Sequence, residues 1–352
     1  MLKTKDVDQA DLEAEFYSKD FSFSYSGMRK LLEAPSNFYK EYVLKQWDDK
    51  RMNHLVEGSL IHFLLLDGEN FDEKFIVSPE SIPSGGGADI VEYVFEIYKE
   101  KVADGGDVKL ELIDFPDEIL ERLKEINLHQ SLKDDAKHPN KTGDEKRVEK
   151  ILDGKYTNYF NYLVSTQDGR QIVDSGTLDK CSKRAELLKA NDQVRELLGM
   201  DRESDGETFA VYNEMPWSMA LEDRPFGLKG ILDNMTVDVA KKLVRVNDLK
   251  TTGKSVTEFP ESVELWDYWL QAAIYTQLAM DFLKDVIDDS WTFEVRFVVI
   301  DRFNQIFPWP VSNASLTIWI AKMWEKIKEV EYHYTERNYS LPYDFIVGTK
   351  SL

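Results

Sequence analysis

The chain has 352 residues, 42% apolar and 31% charged, which suits a folded protein with room for one large or two ordinary domains. Its one cysteine, Cys181, excludes an internal disulfide framework and any metal centre built from several thiolates of one chain. Its formal charge of −21, from 44 basic and 65 acidic residues, argues against nonspecific binding to polyanions. No apolar run approaches the ~20 residues that span a bilayer, and the first residues lack a signal-like apolar core, so a cytoplasmic setting is expected.

After a polar, acidic N-terminal arm, Ser24 or Ser26 is placed to cap a helix carrying Met28, Leu31 and Leu32. Pro35 starts a second helical segment reaching about residue 46, and an apolar helix follows over 53–66. His62 lies inside it, one turn after Gly58; alone on an apolar helix, a histidine reads more readily as a core residue than as a ligand. Residues 71–78 read as extended. Gly85 to Gly87 precede no lysine–serine pair and follow no clear strand, so a surface loop is expected there rather than a phosphate cradle. Helices are expected over 91–103 and 116–135, a solvated charged linker over 134–146, and no clear period over 149–164. A long helix over 175–198 is expected, with Ser175 as its cap and Gly199 as its stop.

The β-rich part begins at Thr208. FAVYNEMPWSMAL alternates apolar and polar residues as a half-buried strand does, and it carries Glu214. A hairpin follows, with a strand over 228–237 carrying Asp233, a turn region at 239–242 and a return strand over 243–249. Asp248 and Lys250 are two apart at the end of that return strand, so they share a face with Val244 and Val246. A strand that leaves the core in this way delivers a carboxylate and an ammonium into a cleft. Two carboxylates can hold Mg²⁺ or Mn²⁺ through oxygen, and a neighbouring lysine can orient or deprotonate water or neutralise a phosphate. A bare D-x-K is common, and by itself it reads equally as a surface ion pair. Counted locally, residues 228–254 hold six basic side chains against three acids, so the excess of acid lies elsewhere. Screening over about 8 Å makes that local count the relevant one. Pro260 then opens a helix over 261–286 with Gln271 and Tyr275 on one face. Strands over 290–301 and 307–311, an amphipathic helix over 315–335 and an extended tail complete the chain. The pattern is α/β (α+β), with one mixed sheet.

Taken in order, SYSGMRKLLEAPSNFY, Gly58-Ser-Leu-Ile-His62 with its leucine-rich acidic end before Phe71, Lys229-Gly-Ile-Leu-Asp233, Asp248-Leu-Lys250-Thr-Thr, Gln271-Ala-Ala-Ile-Tyr275 and Leu341-Pro-Tyr343 resemble the PD-(D/E)xK nuclease superfamily. Within it, the chain is most similar to the RecE-type exonucleases of phages and prophages, relatives of lambda exonuclease and RecB nuclease domains. The resemblance implies a restriction-endonuclease-like mixed central sheet flanked by helices. It implies a single nuclease domain over 1–352, with N-terminal helices over 21–78 contributing His62, a helical or loop insertion over 79–174, and a helix plus catalytic sheet over 175–345. It makes His62 a site residue: His62, Asp233 and Asp248, with the Leu249 carbonyl, would gather Mg²⁺ (or Mn²⁺). Lys250 would position the attacking water, Gln271 and Tyr275 would steady Lys250 or contact DNA, and Glu214 would add a further acid. The implied activity is a Mg²⁺-dependent DNA exonuclease resecting linear duplex ends 5′ to 3′, with an annealing protein as partner and a homo-oligomeric, ring-like assembly. Alternatives are a single-strand- or structure-specific endonuclease and a catalytically inactive DNA-binding or assembly module. The chain departs from the pattern in its long segment over 81–174 and in its strong acidity.

Overall fold

The period-two stretches of the sequence become the central sheet. The structure is a computed structural model describing residues 9–18, 21–46, 53–79, 81–103, 110–134 and 141–349. Its strands are β1 (Phe21–Phe23), β2 (Phe75–Val77), β3 (Gln171–Val173), β4 (Phe209–Ala220), β5 (Phe226–Asp238), β6 (Leu243–Thr252), β7 (Thr292–Asp301) and β8 (Ile306–Pro310). Six of them form one mixed sheet in the order β1-β5-β6-β7-β8, with β4 also paired to β5. The β4–β5, β5–β6 and β7–β8 pairs are antiparallel; β1–β5 and β6–β7 are parallel. Helices flank this sheet, the architecture expected from the sequence pattern. The hairpin read at 228–249 is β5 and β6, and its turn is fastened by Asp238, which accepts the Lys241 N–H at 3.2 Å and pairs with Arg202 at 2.5 Å.

The chain divides into two compact units, Met1–Gly68 with Lys183–Leu352, and Glu69–Ser182. The first holds the six-stranded sheet and a core built on Leu228, Leu232, Met235, Val244, Val246 and the helix Tyr268–Leu283. That helix, with Phe259–Leu265 before it, carries the crossover that the parallel β6–β7 pair requires. The second unit has its own two-stranded parallel sheet, β2–β3. Its four longer helices (Gly86–Ala103, Pro116–Glu125, Gly143–Ile151 and Gly154–Ser165) pack around Ile90, Val94, Leu112, Phe115, Ile119 and Phe160. Among the described residues, no helix is long and apolar enough to cross a membrane.

Ser24 caps the helix Tyr25–Glu33 by accepting the Gly27 N–H at 3.2 Å, and the apolar helix runs Asn53–Leu66 as expected. Several local expectations are corrected. The long helix over 175–198 is two helices, Ser175–Ala190 and Asp192–Leu198, because Asn191 leaves helical geometry and caps the second by accepting the Val194 N–H at 3.0 Å. The cap of the first is Asp174 rather than Ser175, accepting the Thr177 N–H at 2.8 Å. The helix over 261–286 is also two, broken at Asp267, whose φ of 53° is left-handed. Residues 143–146 are helical rather than linker, started by a capping box between Thr142 and Glu145. Residues 71–74 form a helical turn before β2, the helix from Pro116 stops at Glu125, and the tail holds a short helix, Tyr343–Ile346. The remainder of the expected linker, at 135–140, and the last residues, 350–352, lie outside the described residues.

Candidate metal and catalytic site

β5 and β6 begin as an ordinary antiparallel ribbon and then part. Their pairing runs from Asp238–Leu243 to Asn234–Asn247 and stops; the next residues in register are Asp233 and Asp248. There the Leu249 N–H turns to the Asp233 carboxylate, donating to Oδ2 at 2.7 Å. On the other side of β5, β4 is paired along its whole length except at one row, where Glu214 stands opposite Asp233. Glu214 has a φ of 47°, a left-handed conformation that costs a non-glycine residue about 1–3 kcal/mol. At this row the alternation of both strands slips by one residue. Tyr212 and then Met215 face the main core on β4, and Leu232 and then Met235 on β5. The regular alternation read in FAVYNEMPWSMAL is therefore interrupted at its glutamate. Glu214, Asp233 and Asp248 share one row at the point where the sheet opens.

The helix Asn53–Leu66 brings His62 to this opening. A Cβ on Gly58, one turn earlier, would stand 3.3 Å from Thr251 Oγ1 on β6, so the glycine permits a close crossing. His62 Nδ1 lies 3.6 Å from Asp233 Oδ2, and the imidazole also bonds to the Leu249 backbone. Among the described residues, His62, Glu214 and Asp233 form a group whose ligand atoms all lie within 4.8 Å of one another. Asp248 stands outside that group. Its side chain is 2% exposed, its Oδ2 pairs with the Lys250 ammonium, and its buried Oδ1 has no hydrogen-bond partner. Lys250 also lies over the Tyr268 ring, 4.8 Å from its centroid.

Burial and mutual charge set the protonation of these groups. Burial pushes the Asp248 carboxyl up to about 6 against the pull of Lys250, and it raises Asp233 as well. Burial, then the Lys250 charge, holds His62 down at about 4, so at neutral pH its imidazole is uncharged and has a lone pair to donate. Burial works against the Lys250 ammonium, but Asp248 and Asp233 outweigh it and raise its pKa. In the metal-free site Lys250 therefore favours its charged form.

Gln271 and Tyr275 share a face of the helix Tyr268–Leu283 as expected, and Gln271 Nε2 donates to Tyr275 Oη at 3.0 Å. They are bonded to each other, while the ring beneath Lys250 belongs to Tyr268. A Cβ on Gly230 would come within 2.8 Å of the Tyr275 ring, so Tyr275 reaches the sheet only because β5 has no side chain there. Gly230 and Tyr275 also line a cleft of about 850 Å³ with Ser24, Tyr25, Ser218 and Lys229. Tyr268 and Tyr25 were not singled out by sequence reasoning. Tyr268 lies one turn before Gln271 and, as an aromatic among core residues, gave no separate signal. Tyr25 sits in the serine-rich FSFSYSG that was read for its cap and as part of a motif, with no role given to the tyrosine.

The donor set of two or three carboxylates and one neutral imidazole, oxygen and nitrogen ligands together, could hold a divalent metal ion. The partnerless Asp248 Oδ1, buried beside this group, fits such an ion. No protein-family model matches the sequence. No curated protein matches it either. Among solved structures, 8 chains match. One is a protein from Eubacterium rectale named provisionally as an exonuclease, 10% identical, with a TM-score of 0.46 over 100% of this chain and 94% of that one. A likeness that loose carries neither fold nor activity across, and both rest on the geometry above.

Proposed function

We propose that the chain is a divalent-metal-dependent nuclease and, in finer terms, a RecE-like exodeoxyribonuclease that resects linear duplex ends 5′ to 3′ for recombination by strand annealing. The observation that carries the chemistry is the convergence of His62, from a helix distant in the chain, with Glu214 and Asp233, and with Asp248 and Lys250 beside them, from three consecutive strands. The finer reading is supported by the ordered resemblance of the motifs around those same residues. DNA is the substrate in this reading, an annealing protein the partner, and a homo-oligomer the working form. A ring that stays threaded on its substrate is one way for a chain of net charge −21 to act on a polyanion.

Asp233, Asp248, His62 and Glu214, with the Leu249 carbonyl, would hold the ion. When bound, it lowers the pKa of a water and offsets charge on the phosphorane. The chain's own groups do the rest. Lys250, held between Asp248 and the Tyr268 ring, keeps its proton and presents a positive charge to a phosphate oxygen. Neutral His62 adds a ligand without adding negative charge against an anionic substrate. Burial of Asp233 and Asp248 restricts water, which strengthens each of these interactions.

The test is incubation of linear duplex, nicked, closed circular and single-stranded DNA with the protein and Mg²⁺ or Mn²⁺, beside Lys250→Ala. Mononucleotide release from linear duplex by the wild type, lost in the variant, is the expected result. Attack on closed circles would overturn the exonuclease reading, and an active Lys250→Ala would overturn the site.

A further inference from the structure

Behind the row of acids lies a row of asparagines. Asn213 on β4, Asn234 on β5 and Asn247 on β6 are paired in register across three strands, each adjacent in the chain to one of Glu214, Asp233 and Asp248. Their side chains form a directed chain of hydrogen bonds. Asn247 Nδ2 donates to Asn234 Oδ1 at 2.7 Å, and Asn234 Nδ2 to Asn213 Oδ1 at 2.8 Å. Asn213 Nδ2 reaches the Leu66 carbonyl at 3.4 Å, one turn after His62 on the same helix. From the other side, the carbonyls of Leu197 and Leu198 accept from Asn247 at 2.9 Å and Asn234 at 3.2 Å. The network thus touches every element that carries a site residue of the metal group, and it anchors them to the end of the helix Asp192–Leu198.

Asn234 and Asn247 are both 0% exposed. Asparagine is depleted in strands, and a buried amide costs free energy unless it is fully bonded, so two apolar residues would hold this sheet together more cheaply. What the amides add is uniqueness of register. Asn247 Oδ1 is itself buried without a partner, so the ladder is held through its amide donors; a slip of one residue on any of the three strands would set an asparagine against an acid and break those bonds. We propose that Asn213, Asn234 and Asn247 are positioning residues: the ladder fixes the register in which Glu214, Asp233 and Asp248 form one row, and ties the His62 helix to that row. This rests on the metal-site reading above, but its structural consequence is separable from it.

The experiment compares wild type, Asn234→Leu, the exposed and therefore milder Asn213→Ala, and Met323→Ala, a fully buried change on the helix Asn313–Glu336 that serves as a control for lost stability. Three readouts are taken well below each melting temperature: Mn²⁺ affinity, exchange of the Leu249 amide in metal-free protein, and kcat against KM on linear duplex. Both ladder variants should weaken Mn²⁺ binding and lower kcat by about 10–100-fold with KM nearly unchanged, as loss of groups that orient metal ligands does. Both should speed Leu249 exchange by at least about 10-fold relative to other β6 amides, because the bond to Asp233 is no longer aimed. Met323→Ala should lower the melting temperature without these changes. Ladder variants that lose stability yet keep Mn²⁺ affinity and Leu249 protection would overturn the proposal while leaving the metal site standing. Wild type that binds no Mn²⁺ would overturn the metal site, and Leu249 exchange would then decide alone whether the ladder aims the acids.

Discussion

At its turn end the β5–β6 hairpin pairs residues 234–238 with 243–247 and buries Met235, Val237, Val244 and Val246 in the main core. At its open end the same two strands stop pairing, and Asp233, Asp248 and Lys250 stand between them with their charges largely out of water. The turn end gains free energy from apolar burial, about 25 cal/mol per Å². The open end spends it, holding carboxylates whose pKa values burial raises. The difference teaches that one ribbon can be scaffold for half its length and hold a buried charged cluster for the rest, with the boundary set by where backbone pairing ends.

Substitutions at the two ends should separate sharply. Asp248→Asn removes a ligand of the proposed metal site and should reduce the proposed Mg²⁺-dependent cleavage by at least about 10³-fold, a loss of ~4 kcal/mol of transition-state stabilisation. Met235→Ala, at 0% exposure, should cost ~2–5 kcal/mol of stability in denaturant unfolding and leave kcat unchanged below its melting temperature. A large fall in kcat for Met235→Ala would show that the two ends are not independent.

The open end also makes a pH signature. Asp248 is raised from 3.8 to about 6, so its favourable contribution is complete below about 4 and is lost as pH rises through about 6. His62 is lowered from 6.5 to about 4, so its contribution is complete above about 6.5 and is lost as pH falls through about 4. The two slopes oppose each other in nearly the same window, and the raised Asp233 carboxyl adds to the Asp248 side in the metal-free wild type. Asp248→Asn should expose the histidine slope, with stability rising from pH 4 to 6.5. His62→Gln should expose the carboxyl slope, with stability falling from pH 4 to 6. Denaturant unfolding at intervals of half a pH unit measures both, and parallel slopes in the two variants would contradict the assignment.

The smallest expected effect is at the row where the strands part. Glu214→Gly relieves a left-handed conformation while deleting a side chain, and the two changes nearly offset, leaving metal-free stability within ~1 kcal/mol of wild type. Mn²⁺ affinity should nevertheless fall several-fold, read by calorimetry. Unchanged affinity would remove Glu214 from the metal group.

Much of this was legible from residue patterns. The hairpin, its turn, the shared face of Asp248 and Lys250, the Ser24 cap and the helix bearing His62 all follow from period and capping rules that act within a few residues. The placing of His62 beside Asp233 did not follow from those rules; it came from resemblance to a family, since no local rule links residues so distant in the chain. The breaks at Asn191 and Asp267 were hidden because each interrupts an otherwise helical run with neither proline nor glycine. The slip in the pleat at Glu214 was hidden because one left-handed residue leaves the apolar count of the strand unchanged. The asparagine ladder did leave a signal. Three asparagines in strands, each next to a site acid, contradict strand propensity in a regular way, and that regularity is visible before any coordinates.

The Leu249 N–H bond to Asp233 has a consequence for which ions can enter. It takes one acceptor site on Asp233 Oδ2, and Lys250 takes one on Asp248 Oδ2, so both aspartates keep further acceptor sites to offer a cation, most freely on Oδ1. Calcium favours six to eight oxygens and often grips a carboxylate by both; magnesium and manganese accept one oxygen from each and keep their waters. A single backbone amide and a single lysine thereby favour one-oxygen contact from each aspartate, the mode that small octahedral ions use.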